Sequence, residues 1–170
     1  AADAFTRAAE ADSTFALAHY RLALSMLWAD VPHTLPFQPE QRALRHSVKL
    51  SAHDRDLIRA FIAWRNANAE AAQLIYRQIL SMYPDDVEAW HQLAETLFHY
   101  NPLRGRASAE AQHAFERTSQ LDPANWSALW HRALIAAAAR DWDEFDELVA
   151  RLQTLRPGPE QSLEVLAVRA

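Results

Sequence analysis

Positions 91, 95 and 99 of this chain are His, Glu and His. A spacing of four sets them along one stripe of a helix, and imidazole and carboxylate are the donors that hold transition metals. On a single helix that stripe cannot close round an ion. Eight residues at 1.5 Å rise part the outer two by about 12 Å, so at most two of the three could share a ligand. Nor is this the His-Glu-x-x-His pattern, which needs its two histidines on adjacent turns. The expectation is therefore no metal and no cofactor.

Two other stretches could carry chemistry. His53 and Asp54 can be drawn as a dyad, but they fall at a predicted helix start, where Asp is an ordinary residue, and no Ser or Cys nucleophile accompanies them. The chain has no Cys at all, which removes thiolate chemistry and disulfides and suits a reducing, cytoplasmic setting. No catalytic residue is expected, and the chain is read as a non-enzyme. The second stretch is "FHYNPLRGRAS", residues 98 to 108, which holds one of the two glycines. It reads first as a corner, since Asn101-Pro102 and Gly105 stop one helix and aim the next. Arg104 and Arg106 on either side of Gly105 also form a candidate grip for a phosphate or carboxylate.

The elements that position these residues are helices. Half of the 170 residues are hydrophobic, with few glycines and no convincing alternation. "AFTRAAEADSTFALAHYRLA", "IYRQILSMYPDDVEAWHQLA" and "AFERTSQLDPANWSALWHRA" share one grammar, with Phe5, Tyr76 and Phe115 in register, and likewise Ala23, Ala94 and Ala133. Matches such as Pro123 to Pro157 give a period near 34, with some units stretched between their two helices. Units are expected to end near 13, 52, 84, 123 and 157, with a further helix over 159–170. Asp12 and Ser13, Asp85 and Asp86, and Asp122 and Asn125 sit where an oxygen side chain caps the following helix. The net charge of −5 with scattered Lys and Arg argues against direct nucleic-acid binding, and no apolar run is long enough to span a bilayer.

The shared pattern resembles the tetratricopeptide repeat family, on "VEAWHQLAETLF" with Trp90, Leu93 and Ala94, and on Ala133, the Asp141–Glu144 stretch and Pro157 of the last unit. Phe145 and Thr118 stand where the family usually has small residues. The resemblance implies an all-α, right-handed α-solenoid of helix-turn-helix repeats that binds a protein or peptide. By family register the groove residues are Tyr20, Leu24, Arg59, His91, Glu95, His99, Trp130 and Leu134. Trp28 and Trp130 are the tryptophans best placed for a binding face.

Residues 64 to 123 further resemble repeat segments attached to bacterial serine/threonine kinases and transcriptional regulators. That resemblance implies a sensing or docking segment of a signalling polypeptide, with this chain a fragment of a longer one. The alternative is a self-associating or intramolecular regulatory segment whose partners are other domains of the same polypeptide, or a second copy. Neither reading involves a membrane.

Overall fold

A computed structural model describes residues 1–28, 38–156 and 168. Among the described residues there are nine α-helices, three short 3-10 segments and no strand. Pro32, Pro36, Pro157, the helix expected over 159–170 and the side chain of Trp28 lie outside the described residues. No described helix is long and apolar enough to cross a membrane.

The chain divides into two compact units, Ala1–Ile79 and Leu80–Ala170. The first contains α1 (Ala2–Ala11), α2 (Ala16–Trp28), α3 (Pro39–Arg45), α4 (Ala52–Arg65) and most of α5 (Ala69–Met82). Consecutive helices from α1 to α4 pack on one another. Tyr20 of α2 meets Phe61 of α4 edge to face, with ring centroids 5.6 Å apart, and Leu57, Ile58 and Ala60 are buried with them. Pro39 opens α3 at its first turn, where a missing N–H costs no helical bond.

The second unit contains α6 (Val87–Tyr100), α7 (Gln112–Leu121), α8 (Trp126–Ala139) and α9 (Trp142–Leu155), again packed in sequence order. Side-chain oxygens fix where its helices begin. Asp86, Asn125 and Asp141 each accept the backbone N–H three residues on, at Ala89, Ala128 and Glu144. Such a cap satisfies one of the orphan donors of the first turn and contributes about 1 kcal/mol. Asp12 and Asp122 act one step earlier: each accepts the N–H two residues on and so shapes the turn before the helix.

Where a helix pair is joined tightly, one residue takes the left-handed conformation. Arg140 does so between α8 and α9, with φ of 59°, and its N–H reaches the carbonyls of Ala136 and Ala137. The 98 to 108 stretch makes the same reversal with more chain. A 3-10 turn at Pro102–Arg104 ends at Gly105 with φ of 69°, and the Asn101 carbonyl accepts from the N–H groups of Arg104 and Arg106. A Cβ at Gly105 would meet nothing within 4 Å, so only backbone conformation resists a side chain there. Gly105→Ala is expected to cost about 1–2 kcal/mol in urea unfolding, the penalty of left-handed backbone for an L-residue. A neutral result would remove the role given to this glycine.

The core of the second unit is layered. Leu129, Ala133 and Ala136 of α8 pack against Phe145, Leu148, Val149 and Leu152 of α9, with Trp126 and Trp130 partly buried against them. Ala94 and Ala133, the in-register alanines of α6 and α8, are fully buried, so a larger side chain at either would overpack a close helix contact.

Candidate functional site

The stripe on α6 centres on Glu95. Its carboxylate is about as buried as the core aliphatics, at 4% exposure, which for a charged group demands compensation. His91 lies one turn before it, with Nε2 3.2 Å from Oε1, and His99 lies one turn after it, with Nε2 3.2 Å from Oε2. The helix alone brings these three together, because residues four apart stack on one face.

Two further groups come from α8. Ser127 donates its hydroxyl to Glu95 Oε1 at 3.0 Å, and Nδ1 of His131 sits 3.4 Å from the same oxygen. The same Nδ1 lies 2.9 Å from the Ser127 carbonyl, a bond that places its proton there. The His131 ring is walled by aromatics: it stacks on Phe115 at 4.8 Å with planes 6° apart, and Phe98 meets it edge-on at 4.7 Å.

These surroundings set the charges. Burial pushes the Glu95 carboxyl up, but hydrogen bonds from His91 and His99 and the proximity of His131 outweigh it and hold the group well below the usual carboxylate range. Burial pushes His131 down; Glu95 and the Ser127 carbonyl oppose this, and the positive charge that His99 and His91 can carry adds to it. At neutral pH the cluster therefore holds an anionic Glu95 beside a neutral His131 imidazole.

His91 and His131 are each 12% exposed and His99 is half exposed at 51%, so the cluster opens to solvent on the His99 side. Ser127, Trp130, His131 and Leu134 recur at helical spacing on α8, and Trp130 and Leu134 are partly exposed. Trp130 stacks on Trp126 with planes 20° apart. Four of the expected groove residues, His91, His99, Trp130 and Leu134, thus carry some exposure on α6 and α8.

Other expected positions differ. Glu95 is a buried hub rather than a groove contact. Tyr20 and Leu24 are buried in the first unit, Tyr20 against Phe61, and a side chain enclosed by its own core has no surface to offer a ligand. Arg59 is exposed and pairs with Asp56 at 3.2 Å.

The loop arginines also depart from the expectation of an anion grip. Arg106 engages both carboxylate oxygens of Glu110, which also accepts from Asn101 Nδ2 at 3.1 Å, so the anion its fork suits comes from the loop itself. Arg104 is exposed beside Gly105. The segment is a braced corner. At the first unit's His53-Asp54 pair, Ser51 caps Asp54 N–H and its hydroxyl donates to the Asp54 carboxylate, the arrangement of a helix start.

His131 is the residue that reading along one helix missed. In the repeat alignment it occupies the position of Gln92, which is also buried, one residue beyond the groove position held by His91 and Trp130. The alignment gives the register of His131, but only the packing of α8 against α6 brings it to Glu95.

Residues 54–96 match the family model described as tetratricopeptide repeat. Among solved structures the chain is similar to YrrB, "a TPR protein with an unusual peptide-binding site", at 17% identity and a TM-score of 0.56, covering 96% of this chain and 80% of that one. It is also matched to MamA at 15% identity and a TM-score of 0.48, covering 99% of this chain and 88% of that one. No curated protein sequence matches it significantly. The YrrB likeness establishes the fold, an all-α array of helix-turn-helix repeats of the α-solenoid class. The family match thus falls on most of α4, on α5 and on most of α6, and it places a tetratricopeptide-repeat pattern on those helices.

Proposed function

We propose that the chain is a non-catalytic protein-binding scaffold that holds a peptide segment against the face shared by α6 and α8. One observation carries this reading: His99 on α6 and Trp130 and Leu134 on α8 are left partly exposed on the two helices that the Glu95 carboxylate joins through His91, His99 and Ser127. Apolar contact at Trp130 and Leu134 with hydrogen bonding at His99 suits a peptide, whose side chains and backbone need both. Because the network holds His99 and the α8–α9 core and Trp126 hold Trp130 in advance, binding would cost little ordering of the scaffold. The fold shared with YrrB, described as having a peptide-binding site, supports the reading. The resemblance of residues 64 to 123 to repeat segments of bacterial kinases and regulators supports a docking role within a signalling polypeptide.

The test is selection of binders from a random peptide library on the immobilised chain, followed by titration of the best binder. Trp130→Ala is expected to weaken it at least tenfold, as loss of an aromatic anchor does, and Leu134→Ala by less. Circular dichroism controls for the packing of Trp130 on the α8–α9 core. Selected peptides that bind both variants as tightly as the original chain would place recognition elsewhere.

A further inference from the structure

The geometry points to a divalent transition-metal site, of the zinc class, formed by Glu95 and His99 of α6 with His131 of α8. Each offers one donor atom, and the three donors lie within 4.8 Å of one another. Glu95 is 3.2 Å from His99 and 3.4 Å from His131. Donors bound tetrahedrally at about 2.0–2.1 Å are separated by about 3.3 Å; because His99 faces Oε2 and His131 faces Oε1, whichever oxygen binds leaves one edge near that length, and the other two, within 4.8 Å, must shorten. The His99–Glu95 contact is also of hydrogen-bond length, and the ion would replace the proton shared along it.

The donor set chooses the ion. Two imidazoles and one carboxylate suit zinc and its first-row neighbours, whereas calcium and magnesium take oxygen donors. Helical proteins build metal centres from Glu and His side chains on facing helices, and here Glu95 and His99, four apart on α6, meet His131 of α8. Outer groups that orient the ligands are in place too: Ser127 and His91 both hold Glu95 Oε1, and Phe115 and Phe98 fix the His131 plane. Use of Nδ1 by His131 would require its proton to leave the Ser127 carbonyl and the ring to take the other tautomer. The solvent side at His99 leaves a way in for the ion and room for a fourth ligand. The site shares His99 with the proposed peptide face, but Trp130 and Leu134 take no part in it and metal binding is read without peptide, so either reading can fail alone.

The experiment is equilibrium dialysis of the chain against Zn²⁺ with metal analysis, and titration with Co²⁺ followed by its visible absorption. One equivalent per chain is expected, with strengthened Co²⁺ bands. His99→Ala, at a half-exposed position that spares the core, is expected to weaken Zn²⁺ binding by more than about 100-fold, since even outer-group losses cost roughly 10–100-fold. Glu95→Gln should do the same, and His113→Ala, exposed and outside the cluster, should change nothing. Absence of stoichiometric binding overturns the site, and so does binding that His99→Ala and His113→Ala leave equally intact. If Glu95→Gln fails to fold, His99→Ala still decides.

Discussion

Phe115→Ala is expected to destabilise the Leu80–Ala170 unit by about 3–5 kcal/mol, the usual cost of removing a fully buried aromatic ring. Phe115 touches more than an aliphatic core. Its ring stacks on His131 at 4.8 Å, meets Phe98 edge-on at 6.1 Å and lies 6.4 Å from His91. Aromatic pairs of this kind add roughly 0.5–1.5 kcal/mol beyond the area they bury. Truncation would also remove one wall of His131, admit water beside Glu95 and loosen the histidine cluster. Urea unfolding followed by circular dichroism measures the loss, and Phe115→Leu should recover most of it. A loss under about 1 kcal/mol would show that this ring does not hold α6 to α8.

Phe145→Ala is expected to cost a comparable 3–5 kcal/mol, while Trp142→Ala on the same helix costs about 1 kcal/mol or less. The contrast follows from position: Phe145 is fully buried among Leu129, Ala133 and Leu148, whereas Trp142 is exposed and meets Phe145 only edge-on at 5.8 Å. In the family pattern the Phe145 position usually holds a small residue. Here the ring packs beside alanines at 133 and 136, which make room for it. Equal unfolding midpoints for the two variants would contradict this account of the α8–α9 core.

Much of the fold was legible in the sequence because its signals are local. Asp86 and Asn125 sit in front of apolar-periodic stretches and do cap α6 and α8; the alanines brought into register at 23, 94 and 133 are all buried. The His91–Glu95–His99 stripe was legible for the same reason, since one helix fixes it. What completes the site was not. His131 and Ser127 reach Glu95 only because α8 lies against α6, a consequence of packing between residues more than 30 apart in the chain. Burial likewise moved Glu95, Tyr20 and Leu24 off the expected groove, because family register marks a face but not how deeply a neighbouring helix covers it. The Arg106–Glu110 pair is a different miss: Arg106 lies in the loop before a 3-10 turn, where no helical spacing rule pairs it with Glu110.

The central claim is that binding is concentrated on the α6 and α8 face. The most direct measurement is a nuclear magnetic resonance titration of the labelled chain with a library-selected peptide, read at the histidine rings, tryptophan indoles and the leucine and valine methyls. The account predicts that the largest shifts fall on His99, Trp130 and Leu134, with Val48, Leu74 and Leu103, all strongly exposed, unmoved. Shifts gathered on those three exposed side chains, with His99 and Trp130 silent, would contradict it.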